Sequence, residues 1–400
     1  MKRPRATPLA LVACSLALAS ALASAPSRAR DARRVQRVVI GRGSALAGCE
    51  GIDASNDNRT RTTFPAAPRL AFRTRLAGGI GQAPASDTHG NLIVVHSEPR
   101  LSKLDESGRL LWSERLASEA SSAPVLTSAG KILVVTRDGE AQLYSPLGKL
   151  LAKRTLSLAD PRRRSLAIPT ESGGAAVASG SDLVELDERA APVRQLHANG
   201  NLSTIAETDA GLLAISDNGS VQLARATGAL ELIGSFEGSV PEGAAVAFGQ
   251  VFAVVDGHRW AALDLATGHV STLANEPSLT LSGPVALLEA PAAALVAAGG
   301  FVSTRARDGS ELSRVALNAS GQAFDPALRG LRPALVISDQ RGTLAATQSG
   351  NDALLVPAGG TALRLEETNC LDPFRPTPLP KGIVFACRSG QLFGFSDTAP

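Results

Sequence analysis

A glycine followed by a short apolar strand recurs along the chain at Gly90 ("GNLIVV"), Gly130 ("GKILVV"), Gly174 ("GAAVA"), Gly211 ("GLLAI"), Gly249 ("GQVFAVV"), Gly342 ("GTLAAT") and Gly382 ("GIVFAC"). The successive intervals are 40, 44, 37, 38, 93 and 40 residues, so the long one spans two periods. The copy that falls inside it is "AAALVAA" at Ala292 to Ala298, where the glycine has been lost. A period near 40 residues constrains the fold more than any single motif. Such a unit is too thin to bury its own faces and becomes stable only when stacked against neighbours.

Each copy carries further strand signals. A second turn and strand follow in "RDGEAQLY", "DNGSVQLA", "VDGHRWAALDL" and "RSGQLFGF", where Gly or Asn supplies the positive φ of a tight hairpin. A short strand with a proline near its start precedes most copies, at Pro84, Pro124, Pro169, Pro284, Pro333 and Pro378. Proline is tolerated at a strand entrance because only one ladder donor is lost there. Four short antiparallel strands per repeat define a propeller blade. The predicted fold is therefore all-β, an eight-bladed β-propeller of four-stranded antiparallel blades over residues 68–400. The eighth copy ends at "GQLFGFSDTAP" without a fourth strand, whereas "PRLAFRTRL" (Pro68 to Leu76) precedes the first copy. The N-terminal strand is expected to complete the last blade and remove the free edges.

The repeat resembles that of the pyrroloquinoline-quinone-type (quinoprotein dehydrogenase-like) propellers, in which Ala, any residue, Asp, two or three residues, Gly, Lys, two residues and Trp succeed one another. The first copy matches at Asp105, Gly108, Arg109 and Trp112, with Lys103 in place of the Ala. The fifth matches at Ala262, Asp264, Thr267 and Gly268, with Thr272 where Trp is expected, and Phe72 stands like the closing Trp of the last blade. In catalytic members the resemblance implies a quinone near the ring axis, commonly beneath a pair of adjacent cysteines, with acidic and amide side chains holding calcium. This sequence has no adjacent cysteines, two Trp and one Tyr. Its five histidines, His89, His96, His197, His258 and His269, lack metal-ligand spacing. Asp105, Asp187 and Asp264 fall at the repeat's turn, where capping the turn backbone is sufficient reason for them. No catalytic, cofactor-binding or metal-binding residue is assigned, and no cofactor is expected.

Residues 1–25 read as a signal peptide: a basic tip (Lys2, Arg3, Arg5), an apolar run from Leu9 to Ala23 and small residues at Ala21 to Ala25. "LVAC", ending at Cys14, also resembles a lipoprotein signal, although only five apolar residues precede the cysteine. Residues 26–67 are expected to form a flexible polar linker. No other segment approaches the ~18 apolar residues of a membrane span. Residues 67–400 hold 29 basic and 33 acidic residues, a net of −4, which excludes a broad basic surface for nucleic acid. Beyond the leader, Cys49, Cys370 and Cys387 remain. Cys370 with Cys387 is the favoured disulfide and Cys49 with Cys370 the rival, in a chain read as secreted or periplasmic.

The expected function is an exported, non-catalytic binding or scaffold module of the cell envelope, monomeric, with a protein or surface component as partner. A family analogue is the quinone-free propeller lipoprotein of the outer-membrane barrel-assembly machinery. Two alternatives stay open: a quinone- and calcium-dependent dehydrogenase of alcohols or sugars, and a carbohydrate-binding propeller.

Overall fold

Strand chemistry of this kind leaves little choice of local structure: runs such as Leu92–Val95 and Ile132–Val135 are β-branched and fully buried, and glycine turns bound them. The structure is a computed structural model. It describes residues 45–49 and 58–397, apart from 227, 279–280, 289–292, 298–300, 307, 317–334, 348–351, 359, 369 and 371.

The described strands form eight antiparallel sheets, each holding a meander of neighbouring strands. Sheet 1 spans Ala85 to Arg115, sheet 2 Val125 to Thr155, sheet 3 Leu166 to His197 and sheet 4 Leu202 to Ser235. Sheet 5 spans Ala244 to Asn275, sheet 6 Leu281 to Ala316 and sheet 7 Leu335 to Leu365. Sheet 8 takes Thr377–Leu379, Gly382–Ala386 and Gln391–Ser396 from the C-terminal end and Arg69–Arg75 from the N-terminal end. The first strands of successive sheets lie side by side from sheet 1 to sheet 7, and that of sheet 8 returns to sheet 1. A propeller of four-stranded blades results.

Two expectations need correction. Seven sheets are four-stranded, but sheet 1 has five strands, so the blades are not eight uniform units. The fifth strand is Ala45–Ala47, paired with Ala85–Asp87 on its axial edge. It comes from the stretch expected to be a flexible linker. Residues 58–64 of that stretch are also docked, with Thr60 N donating to Ser338 O at 2.8 Å and Phe64 N to Asp339 Oδ2 at 2.8 Å. Composition misled the reading because polar residues can satisfy free backbone groups of inner strands as readily as water can. The signal peptide, Cys14 and residues 26–44 lie outside the described residues.

Apolar clusters occupy the spaces between sheets. Leu92, Val94 and Leu104 of sheet 1 pack on Val384 and Leu392 of sheet 8. Ile337 and Leu355 of sheet 7 pack on Ile383, Phe385 and Phe393 of sheet 8, with Phe64 of the N-terminal segment among them. The ring is thus held by sheet-on-sheet burial of aliphatic side chains.

In sheet 8 the pairing runs from Arg69 with Ser396 to Arg75 with Gln391, interrupted by a bulge between Leu70 and Phe72. A similar irregularity sits near the start of the outer strand in sheets 1, 2, 3 and 6 and near its end in sheets 4 and 5. An extra residue there bends the outer strand and increases its twist, as the rim of a ring of sheets requires.

Candidate interaction surfaces and the axial channel

The turn before each outer strand positions the signature residues. Asp105 Oδ1 accepts from Ser107 N and Arg109 N, each at 3.0 Å, and from Ser107 Oγ. Asp264 Oδ1 accepts from Ala266 N at 3.0 Å and Thr267 N at 2.9 Å, and Asp187 Oδ1 from Arg189 N and Ala191 N. These carboxylates face their own turns rather than the axis. Gly108 has φ 76° and Gly148 φ 87°. At Gly148 a Cβ would lie 2.9 Å from Trp112 Cδ2, and at Gly108 one would run into the Phe72 ring. The outer-strand aromatic of one sheet therefore lies on the turn glycine of the next, a contact open only to a residue without a side chain. Trp112 Nε1 also donates to Pro146 O at 3.1 Å. At the corresponding place between sheets 5 and 6, Thr272 is exposed and the Leu273 carbonyl lies over Gly309 instead; Gly268 likewise faces the Ile233 carbonyl of sheet 4.

Lys103, which departs from the family pattern, has a partner that explains it. Its Nζ lies 3.0 Å from Asp87 Oδ2 and both residues are buried. Burial works to raise the Asp87 pKa, but bonds from Asn91 and Lys103 outweigh it and hold the carboxyl below its ordinary value.

The axis is filled from within. Ala47, Cys49, Asn58 and Thr60 are all buried. Leu126 N donates to Gly48 O at 2.8 Å, Ser338 N to Asn58 O at 2.9 Å, and Asn58 Nδ2 to Val285 O at 2.8 Å. The N-terminal segment thus engages the first strands of sheets 1, 2, 6 and 7. Sequence reasoning missed the plug, because nothing in "ALAGC" or "NRT" is patterned.

The rim offers apolar surface. In four sheets the outer bulge turns one residue outward: Leu111 in sheet 1, Leu151 in sheet 2, Val193 in sheet 3 and Leu312 in sheet 6 are exposed. Sheets 1 and 2 add Leu110, Leu150 and the turn-tip Leu147, which is 86% exposed. The Trp112 contact with Pro146 and Gly148 ties the outer strand of sheet 1 to the outer turn of sheet 2, the two adjoining rims that carry these five leucines.

The face bearing the connections between sheets is polar. A groove of about 550 Å³ is lined by Ser181, His197, Asn199, Asn201 and Gln222. His197 Nδ1 lies 3.0 Å from Asp182 Oδ1, and Ser181 Oγ is 3.4 Å from both ring nitrogens. That equidistance does not fit a nucleophile and base, which need the hydroxyl on Nε2 opposite the carboxylate. A second groove of about 500 Å³, with Glu119, Arg137, Asp138 and Arg162, lies on the same face. His96 is buried there, with Nε2 2.8 Å from Ser102 Oγ and Nδ1 3.1 Å from Ala77 O. No group of three or more His, Cys, Asp or Glu residues suited to a metal occurs among the described residues. No helix among them is long and apolar enough to cross a membrane.

Comparison with known proteins follows the same lines. A family model described as outer membrane protein assembly factor BamB matches residues 57–189. Within that stretch the chain is similar to a pyrroloquinoline-quinone-type propeller repeat. The repeat extends in three dimensions beyond the matched stretch. The crystal structure of BamB from Moraxella catarrhalis superposes with a TM-score of 0.63 at 16% identity, covering 83% of this chain and 98% of that one. The computationally designed Ika8 protein superposes with a TM-score of 0.65 at 13% identity, covering 82% and 99%. At such identities the likeness is one of fold. No curated protein sequence matches this chain.

Of the residues singled out from sequence, Phe72, Gly108 and Trp112 come together at the junctions of sheets 8, 1 and 2. Asp264 and Gly268 sit in the equivalent turn of sheet 5. Cys370 and Cys387 share one apolar cluster, while Cys49 lies in another among sheets 2 to 4.

Proposed function

We propose that the chain is an exported, non-catalytic propeller of the cell envelope that serves as a binding or scaffold module, docking a protein partner on the rim of sheets 1 and 2. The observation that carries this reading is the group of exposed leucines, Leu110, Leu111, Leu147, Leu150 and Leu151. Contiguous apolar surface facing water costs about 25 cal/mol per Å², a cost that a partner removes. The N-terminal segment supports the non-catalytic part, since Ala47, Cys49, Asn58 and Thr60 are buried and the segment bonds to the first strands of sheets 1, 2, 6 and 7. The family model for an outer membrane assembly factor supports the envelope and the protein partner.

The test is site-specific photo-crosslinking in cells from a probe at Leu147, with a second probe at Leu312 on the rim of sheet 6. A discrete adduct to one envelope protein from Leu147 alone is expected, abolished by Leu111→Glu with Leu151→Glu while the far-ultraviolet spectrum is unchanged. Equal labelling from both positions would remove the rim assignment. Dye reduction with an alcohol or sugar after addition of quinone and calcium would replace the scaffold by a dehydrogenase.

A further inference from the structure

Sheet 8 is built from both ends of the chain, and its cysteines stand where the segment entering the sheet meets its central hairpin. Phe374 N donates to Ala386 O at 2.9 Å and Arg388 N to Asp372 O at 3.0 Å, with Pro373 bridged antiparallel to Cys387. This ladder lays the segment that begins at Cys370 alongside Cys387. Two further contacts fix the alignment: Arg388 Nε pairs with Asp372 Oδ2, and its guanidinium lies over the Phe374 ring at 5.2 Å. Both thiols are buried, at 8% and 1% exposure, in the cluster of Phe385, Phe393 and Phe395. The hydrogen bond that the Cys387 thiol makes to the Cys370 sulfur, and then burial, push Cys387 well above the usual thiol range. A reduced pair in that cluster is inert. Cys49, the rival partner, is buried among Val125, Leu133 and Ala141 and has no part in this ladder.

We infer that Cys370 and Cys387 are joined by a disulfide in the mature protein, forming a covalent staple of the sheet that closes the ring. The inference rests on export to an oxidising compartment, part of the proposed function. The reaction is thiol–disulfide exchange with a dithiol–disulfide oxidant: the two thiols lose two protons and two electrons, an S–S bond forms, and the oxidant's own disulfide is reduced to a dithiol. Exchange must precede burial, so the bond forms during folding. It closes a loop that contains both Thr377–Leu379 and Gly382–Ala386 and leaves the pairing of Arg69–Arg75 with Gln391–Ser396 non-covalent. The segment before the first strand of sheet 8 is thereby fixed to the strands that receive the N-terminal strand.

The full chain, produced with its own leader, is alkylated under denaturing, non-reducing conditions and mapped by mass spectrometry. The expected result is a linked peptide containing Cys370 and Cys387, with Cys49 alkylated. Cys370→Ala with Cys387→Ala is expected to lower the thermal midpoint by about 4 °C, and Cys49→Ala not to reproduce that reductant-sensitive difference. Alkylation of all three cysteines in leader-cleaved protein, or a link to Cys49, overturns the assignment. Protein that retains its leader in the cytoplasm fails the export reading instead. The purified chain is then refolded with oxidised glutathione, where formation of the 370–387 bond upholds the pairing and its failure refutes it.

Discussion

Sheet 8 and sheet 5 have the same four-strand order and each an outer bulge, between Leu70 and Phe72 in one and opposite Trp260 and Ala261 in the other. Sheet 5 is a continuous meander from Ala244 to Asn275. Sheet 8 unites strands whose flanking residues, Ala67 and Asp397, are 330 positions apart yet bonded at 2.7 Å. A bulge occurs in both outer pairs, near the start of the strand in sheet 8 and near its end in sheet 5, so it does not depend on a hairpin turn, which the outer pair of sheet 8 lacks. What differs is how each outer strand is held. Sheet 5 keeps its strand by chain connectivity and lays a backbone carbonyl on Gly309, whereas sheet 8 must hold a foreign strand and does so with the Phe72 ring wedged between Gly108 and Gly394. Large aromatic anchors survive where the closure is non-local, and at the neighbouring Trp112 junction.

Removing residues 1–76 should break this comparison outright. The edge of Gln391–Ser396 would be exposed with Phe393 and Phe395 beside it, and an unpaired apolar edge associates. Size-exclusion chromatography should show aggregates in place of a monomer. Phe72→Ala sharpens the comparison: about 2–3 kcal/mol should be lost in denaturant titration, with a similar loss for Trp112→Ala. Thr272→Ala, at the corresponding place in sheet 5, should cost less than about 0.5 kcal/mol. Equal losses at all three positions would remove the distinction between anchored and connected strands.

Titration separates the two kinds of sheet with opposite signs. Glu207, in the contiguous sheet 4, is pushed up to about 7 by burial, with Glu171 and Glu185 adding repulsion; the Glu171 N–H donates to Glu207 Oε2 at 2.8 Å and works the other way. Its folded value exceeds the ordinary glutamate value of 4.5, so its contribution is complete below about pH 4.5 and is lost as pH rises towards 7. Glu207→Gln, which keeps an acceptor for Glu171, should gain about 1–2 kcal/mol at pH 8 after allowance for solvent screening. His96 holds Ala77 in the connection that leaves the closing strand, and its burial lowers the imidazole pKa below 6.5. Its contribution is present above pH 6.5 and fades as pH falls through the lowered folded value. Thermal melts should therefore show a smaller midpoint decrease on acidification below pH 6.5 for His96→Asn than for the parent chain. An unchanged slope would separate closure from this histidine.

The legible part of the fold was the part written locally. Glycine turns at 40-residue spacing, apolar runs such as Leu92–Val95 and the signature at Asp105 to Trp112 are short-range features, and short-range sterics and burial suffice to make hairpins of them. The orphan strand Pro68 to Leu76 could be assigned because a ring leaves only one unfilled place. Its aromatic at Phe72 could be matched to Trp112 by position alone. The candidate surface was not legible: alternation along a strand gives no sign of a bulge that turns a residue such as Leu111 or Leu151 outward.

By itself the sequence determined the unit, its repetition and the closing strand, because each depends on residues near one another or on counting. Tertiary structure alone decided that Ala45–Ala47 and Asn58–Thr60 fill the axis, that Cys49 is kept apart from Cys370, and that five leucines are exposed on the adjoining rims of sheets 1 and 2. Those outcomes depend on which backbone donors and apolar faces remain unsatisfied after the sheets have closed, a quantity that exists only once the whole ring is assembled.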